Sequence, residues 1–154
     1  MISKAFKSLA TVFLVAGLAF GQAASAGDVA MDEGPSLYER MGGWDSINQI
    51  VSDTVAFHLE NPQVAHYFED VDLDRLIGHV TAFFAAGIGG PNKYEGRDMT
   101  TAHAHMNMSN ADFDSAVADV LKAVDKNGIG AAEKAEVAAI LESLRPAVMG
   151  TAGT

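Results

Sequence analysis

The histidines are the residues of this chain whose type and spacing could do chemistry. There are five, and His103 and His105 are separated by a single alanine. On a strand two such rings point the same way and form a metal clip, whereas on a helix they diverge by about 200°. The stretch 99–107 lacks an alternating apolar pattern and is predicted to be a short helix. Only one of the two rings is then expected to reach a common centre.

His103 is the ring that we assign to this centre. Met99 lies four residues before it and Met106 three residues after it. Methionines on both sides suit an imidazole that is pressed against a large, polarisable apolar surface. His105 is interpreted as a solvated residue or a residue of the pocket rim.

His79 is the second candidate, because it shares an apolar stripe with Leu76 and Phe83 at helical spacing. It is either a half-buried core histidine or a polar group inside an apolar cavity. His58 is expected at the surface although its spacing allows an inward position, and His66 is expected to be exposed. Two inward histidines on different helices, surrounded by apolar side chains, match what a heme pocket requires.

A rival interpretation uses His103 and His105 to bind copper or zinc in a heme-free helical module or metal carrier. Zinc needs three or four ligands, and no carboxylate is placed beside these histidines. The chain has no cysteine. Thiolate metal sites and cysteine nucleophiles are therefore excluded.

The elements that must position these histidines are predicted to be helices, and no strand pattern of useful length occurs. The first helix begins after Ser36 and ends at Gly42-Gly43, and the second runs from Trp44 to Asn61-Pro62. The apolar stripe of the second helix comprises Ile47, Ile50, Val51, Val55 and Leu59. A turn with Phe68 follows it.

Three further helices are predicted in the second half of the chain, besides the short one over 99–107. The first is capped by Asp72 and broken by the glycine-rich stretch 87–92, after which 91–98 forms a loop. The next opens with a capping box of Ser109 and Asp112. The last covers about 131–148 and is expected to bend near Pro146.

The first 26 residues have the pattern of a secretory signal peptide. Lys4 and Lys7 precede the apolar run 8–20, and Ala24 and Ala26 frame a small-residue cleavage signal. The alternative is an uncleaved membrane anchor, although the run is short for a span. We predict a signal peptide over 1–26, a flexible leader over 27–35 and one domain over 36–150.

The charge balance of the mature chain narrows the list of partners. Two of the ten basic residues and none of the twenty acidic residues precede Gly27, so a cleaved chain would carry a formal net charge of −12. Nucleic acid and anionic membranes would repel such a protein. We expect an exported protein, periplasmic or secreted, without stable membrane association after cleavage.

Four stretches of the chain resemble, in order and spacing, the group I truncated hemoglobins. They are "SLYERMGG", "HYFEDVDLDRLIGH", "AFFAAGIGGPNKYEGRDM" and "TTAHAHM". The resemblance covers essentially all of 36–148 and includes the glycine pairs Gly42-Gly43 and Gly89-Gly90. It implies an all-α truncated globin, a two-over-two helical sandwich around heme b (iron protoporphyrin IX).

The resemblance also implies roles for individual residues. His103 takes the position of the proximal iron ligand, and Phe68 that of the phenylalanine on the distal heme face. Arg75 could pair with the heme propionates, with Lys93 or Arg97 as less secure choices. The remaining expected heme contacts are Leu76, Met99, Phe83 and Tyr94.

The distal side departs from the family pattern. Val55 stands where the family usually has a tyrosine, and Leu76 stands where it often has a glutamine. The resemblance therefore implies a mostly apolar distal pocket in which His79 could be the sixth iron ligand. The alternative is an open or water-bound site, and His58 is a less favoured distal group.

The function implied by this resemblance is reversible binding of diatomic gases (O2, NO, CO) by a monomer. Electron transfer with a redox partner is the alternative, as is consumption of nitric oxide or peroxide by a dioxygenase or peroxidase activity. Fold alone does not choose among these functions.

Overall fold

The computed structural model describes residues 34–150, and in this range all regular structure is helical. The helices are α1 (Leu37–Arg40), α2 (Gly43–Glu60), a 3₁₀ helix (Ala65–Phe68), α3 (Leu73–Gly87), α4 (Met99–His103), α5 (Asn110–Lys126) and α6 (Ala131–Val148). The all-α prediction is confirmed. The predicted signal peptide and most of the leader lie outside the described residues. Within 34–150, no helix is both long and apolar enough to cross a membrane.

The helices begin where polar side chains cap them. The Ser36 hydroxyl accepts a hydrogen bond from the backbone N–H of Glu39, and Ser109 caps α5 together with Asp112 in the predicted capping box. Asp72 caps α3 as predicted. These side chains satisfy backbone N–H groups that have no partner inside the helix, which explains why the helix starts are legible in the sequence.

Two helix pairs form the sandwich. α2 packs against α3, α5 packs against α6, and α2 joins the two pairs by packing against α5. The buried core lies between them and comprises Ile47, Ile50, Val51, Ala85, Ala123, Val124 and Val137, together with Leu37, Met41 and Ile88. The short α4 packs on α6. The two-over-two arrangement is therefore confirmed.

The first and last described helices are joined by an ion pair. Arg40 at the end of α1 donates to Glu133 at 2.8 Å and to Glu136 at 2.7 Å, both on α6. Exposed pairs of this kind contribute little individually, but two carboxylates on one guanidinium fix its orientation. α1 is thereby held against the first two turns of α6, the last described helix.

Glycines close the turns that follow α1 and α3, as expected. Gly42 and Gly89 both have φ of +90°, a backbone conformation that side chains disfavour. At Gly90 a Cβ atom would lie 2.6 Å from the carbonyl oxygen of Ala85. The "GIGGPN" stretch thus ends α3 both by conformation and by close packing.

Two details of the helices differ from the expectation. Leu59, expected in the apolar stripe of α2, is 44% exposed. Its neighbour His58 takes the inward place, so that prediction was wrong for both residues. The histidine helix α4 ends at His103 rather than at residue 107. Beyond it, the backbone N–H of Met106 donates a hydrogen bond to the carbonyl oxygen of His103 at 2.9 Å.

Candidate functional site

An apolar cavity of about 240 Å³ lies between the two helix pairs. Every described helix except α1 contributes to its wall. Its apolar lining comprises Ile50, Val51 and Val55 of α2, Val64 and Phe68 around the 3₁₀ helix, Leu76, Val80 and Phe84 of α3, Met106 and Met108 after α4, Ala116, Val120 and Val124 of α5, and Val137 and Leu141 of α6. The polar lining residues are Thr54, His58, Tyr67 and His103. Such a wall suits a flat apolar ligand with one or two polar attachment points.

His103 is at the end of α4 and lines the cavity, as the sequence predicted. Its Nδ1 lies 2.9 Å from the backbone carbonyl oxygen of Met99, the first residue of the same short helix. A carbonyl can only accept, so Nδ1 is the donor, and in the neutral ring Nε2 is the nitrogen that carries the lone pair. A metal-binding histidine is held by this arrangement in the correct tautomer and orientation. Asp98 caps the helix through the N–H of Thr101 at 2.8 Å.

The two hydroxyl groups of the cavity wall are already engaged. Thr54 donates to the carbonyl oxygen of Ile50 at 2.8 Å, and Tyr67 donates to Asp112 at 2.9 Å. Asp112 also accepts hydrogen bonds from Ser109 and Gln63, which hold the pKa of its carboxyl far below the ordinary range. Burial and the Asp112 carboxylate raise the pKa of the Tyr67 phenol. Neither hydroxyl has a proton left to offer to a ligand in the cavity.

His58 is a cavity residue that sequence reasoning placed at the surface. It is 8% exposed, and its ring stacks on Phe68 with centroids 5.2 Å apart. Its Nδ1 lies 3.0 Å from Oδ2 of Asp119 on α5. The spacing of three residues from Val55 was the available signal. Its carboxylate partner Asp119 could not be predicted from the sequence, because it is 61 residues away.

His79 is not among the residues that line the cavity, which differs from the expected inward orientation. Its side chain is exposed, and its Nε2 lies 3.5 Å from Nε of Arg75, one turn earlier on α3. The buried residues of α3 are Thr81 and Ala85. The face of α3 that packs against the rest of the protein is therefore rotated away from the apolar stripe on which the sequence analysis placed His79. His79 projects from the flank of the helix that carries the lining residue Leu76. Its role as an iron ligand remains a prediction.

The other predicted contacts are only partly brought together. Phe68 and Leu76 line the cavity, whereas Phe83 and Tyr94 form an edge-to-face pair outside its lining, with ring centroids 5.2 Å apart. The Tyr94 hydroxyl donates to the carbonyl oxygen of Arg97 at 2.9 Å. Met99 contacts His103 through its backbone carbonyl, which accepts the hydrogen bond of the imidazole Nδ1.

The cationic and remaining histidine candidates lie at the surface. Arg75, Lys93 and Arg97 are all exposed, which is compatible with a role at a pocket rim. His105 and His66 are exposed as expected. In residues 34–150 no three His, Asp or Glu side chains come together to form a metal site, so the geometry gives the copper or zinc interpretation no support.

Comparisons with known proteins agree with this geometry. The model of the Bacterial-like globin family matches residues 36–150. A group 1 truncated hemoglobin of Tetrahymena pyriformis is 30% identical over 120 residues, covering 78% of this chain and 99% of that protein. The chain belongs to the group 1 truncated hemoglobins. Another member, from Synechocystis, is 31% identical over 109 residues, covering 68% of this chain and 88% of that protein.

The chain is also similar in three-dimensional structure to a solved truncated hemoglobin. The crystal structure of the truncated hemoglobin from T. pyriformis in its Fe(III) form superposes with a TM-score of 0.72 at 30% identity. The match covers 75% of this chain and 98% of the other. The helical sandwich of this truncated hemoglobin is thus shared with that relative over nearly the whole of the relative's length.

Membership of this family implies a heme-binding globin, and the residues of the cavity fit that group. An imidazole with a free Nε2 enters an apolar cavity between two helix pairs, which is the donor set that heme iron accepts from a protein. Arg75 is exposed on α3, the helix that also carries the lining residue Leu76.

Proposed function

We propose that this truncated hemoglobin binds heme b through His103 and uses it to bind diatomic gases reversibly. The observation that carries the proposal is the fixed tautomer of His103, whose Nδ1 proton is held by the Met99 carbonyl at 2.9 Å. This leaves Nε2 free at the wall of an apolar cavity. Bound heme would supply the iron at which a gas ligand binds.

The cavity wall favours gas binding over the capture of polar substrates. Its lining residues Val55, Leu76 and Val80 are apolar, and both of its hydroxyl groups donate to the protein itself. A small neutral ligand can enter such a space without losing hydrogen bonds to water, whereas a charged one cannot. The chain's own contribution is therefore to hold His103 in place and to keep water away from the bound ligand.

We propose in addition that His79 is a reversible sixth ligand of the iron. The support is its position on α3, three residues after Leu76 and one residue before Val80, both of which line the cavity. Coordination would require the exposed ring to leave Arg75 and turn inward, a rotamer change on the flank of a helix. A six-coordinate state would also suit electron transfer, which is the alternative function.

The first test is the absorption spectrum of the full chain after addition of hemin. We expect a Soret band in the wild type and in His105→Ala, and its loss or marked weakening in His103→Ala. The ferrous spectrum under argon then reports coordination, since sharp split bands that collapse to a broad band in His79→Ala indicate ligation by His79. A Soret band in His103→Ala equal to that of the wild type contradicts the proposal for His103.

We propose that the protein is exported and acts as a monomer. The support for export is the basic, apolar and small-residue pattern of residues 1–26. Reduction of the iron would then depend on a partner outside the cytosol, which disfavours turnover as a nitric oxide dioxygenase.

A further inference from the structure

The His58–Asp119 pair is a built polar site in the wall of the apolar cavity. His58 comes from α2 and Asp119 from α5, and their side chains are 10% and 13% exposed. The same Oδ2 of Asp119 accepts a hydrogen bond from the side-chain amide of Asn61 at 2.8 Å, and this amide also donates to Ser115 at 2.9 Å. The carboxylate is therefore held by the Asn61 amide, which Ser115 anchors in turn, as well as by the imidazole.

This carboxylate determines which nitrogen of His58 carries the proton. An ionised carboxylate only accepts, so the 3.0 Å contact to Nδ1 requires a proton on Nδ1. Burial lowers the pKa of the His58 imidazole below its ordinary value, although Asp119 raises it in part. A neutral ring with a lone pair on Nε2 is the form that follows at neutral pH.

The Nε2 atom of His58 is accessible and uncommitted. In residues 34–150 every fully buried side-chain nitrogen or oxygen has a hydrogen-bond partner, and the described hydrogen bonds of His58 involve only Nδ1. Nε2 is therefore not sealed in the core, and His58 is a lining residue of the cavity. The stack on Phe68 limits how far the ring can tilt.

The other titratable groups around the cavity cannot perform the same task. The Tyr67 hydroxyl of the 3₁₀ helix donates its hydrogen bond to Asp112, and His103 of α4 is the proposed iron ligand. The lining residues contributed by α3 and by α6 are all apolar. His58 is thus the base that an incoming ligand meets in this wall.

We propose that His58, oriented by Asp119, is the proton acceptor of the cavity for small protic ligands, namely weak acids such as hydrogen cyanide and hydrogen peroxide. With hydrogen cyanide, the proton moves to Nε2 of His58, and the cyanide anion keeps the electron pair with which it binds the ferric iron. No oxidant or reductant is needed. This role rests on the proposed heme binding and adds a base to a wall that otherwise offers none.

The test compares a ligand that must lose a proton with one that need not. Cyanide binding to the ferric protein and carbon monoxide binding to the ferrous protein are followed by stopped-flow absorption near neutral pH. Both are measured in a His79→Ala background, so that dissociation of His79 cannot limit the rate. The variants are His58→Leu and Asp119→Asn, and the control is His66→Gln, which changes an exposed histidine near the same wall.

We expect His58→Leu to slow cyanide binding by about 100-fold, the scale of a positioned general base, and to leave the carbon monoxide rate unchanged. Asp119→Asn should give a smaller loss, because it keeps a hydrogen-bond acceptor but not the charge. A cyanide rate in His58→Leu equal to that of the control overturns the proposal. An equal slowing of cyanide and carbon monoxide binding also overturns it, because His58 would then be a packing residue. A six-coordinate absorption spectrum that disappears in His58→Leu overturns it as well, because His58 would then be an iron ligand.

A second measurement needs neither heme nor a variant that must fold. The ¹⁵N chemical shifts of the histidine rings in the heme-free full chain report the tautomer of each ring. We expect His58 to show a protonated Nδ1 and an unprotonated Nε2 at neutral pH, and an imidazolium or the opposite tautomer overturns the proposal. If the wild type never acquires a Soret band, heme binding fails while this measurement still decides the state of His58.

Discussion

At the scale of single residues, the site depends on two imidazoles that are each fixed through Nδ1. His103 is held by a backbone carbonyl, and His58 by a carboxylate. A carbonyl is a neutral acceptor, whereas the Asp119 carboxylate stabilises the protonated ring and partly offsets the lowering of the His58 pKa by burial. The same side chain is thereby suited to two tasks, metal ligation by His103 and proton acceptance by His58.

Asp112 provides a residue-scale prediction about pH. Its carboxylate accepts hydrogen bonds from Ser109, Gln63 and Tyr67 in the folded state, so its pKa lies well below that of the unfolded chain. The stability that it contributes is present at neutral pH and is lost as the pH falls through about 4 and below. We expect Asp112→Asn to lower the urea midpoint at neutral pH, and the gap to the wild type to close on acidification.

The matched control for this prediction is Asp45→Asn. Asp45 also lies in the first turn of its helix, but it is exposed. We expect only a small difference from the wild type at neutral pH, because the side chain is exposed. If the difference in urea midpoint between Asp112→Asn and the wild type stays constant down to about pH 3, protonation of this carboxylate does not affect the stability of the fold.

Residue roles could be read from the sequence only where the partner is local. The position of His103 followed from Met99 and Met106, which lie within one helical turn of it. Its carbonyl partner is also four residues away. His58 could not be assigned in this way, because its burial depends on Asp119, which comes from another helix. A polar residue on a helix flank is exposed or buried according to what the neighbouring helix offers.

At the scale of elements, α4 is the weakest part of the site. It has five residues, none of them buried, and it carries the proposed iron ligand at its last position. Isolated helices of this length do not form in water, so its order must come from its cap and from packing. Asp98 supplies that cap through the N–H and the hydroxyl of Thr101, both at 2.8 Å.

We expect Asp98→Ala to speed the loss of hemin by a factor on the order of five, because a frayed first turn releases the carbonyl that orients His103. Asp98→Asn keeps a capping oxygen and should release hemin at nearly the wild-type rate. Transfer of hemin to an excess of apomyoglobin measures both rates. Equal rates in Asp98→Ala and the wild type would show that α4 does not need its cap.

The elements themselves were largely predictable, whereas their inward faces were not. Caps and breakers such as Ser109 and Gly89 act within one turn, and both were read correctly. The exposure of Leu59 and of His79 was missed, because the apolar stripe of a helix is wider than its contact with the partner. α3 meets α2 through Thr81, whose hydroxyl accepts a hydrogen bond from Asn48 at 3.1 Å.

At the scale of the whole molecule, the cavity borders directly on the buried core. Val51, Val124 and Val137 are buried residues of the core cluster and also line the cavity. A space of this size forgoes the packing contacts that its walls would otherwise make. The fold is therefore expected to gain stability from whatever fills the space.

We predict that heme raises the thermal midpoint of the full chain. A ligand present at about 100 times its dissociation constant adds about 2.7 kcal/mol, which for a chain of this length corresponds to a rise on the order of 10 °C. Circular dichroism with and without hemin measures the effect. His105→Ala should keep this rise and His103→Ala should lose most of it. An equal midpoint with and without hemin would mean that the cavity is not the binding site.

The double ion pair of Arg40 has a consequence for how the chain could be rewired. It joins residues that are 93 and 96 positions apart, so that α1 and α6 are neighbours in space. Because Glu133 and Glu136 lie in the first two turns of α6, a linker from Val148 to Leu37 must also span the roughly 18 Å from Glu136 to the end of that helix before new termini can be opened in the loop 91–97. α3 and α4 would then no longer follow one another along the chain, and the two walls that face a bound ligand would belong to opposite ends of the permuted protein.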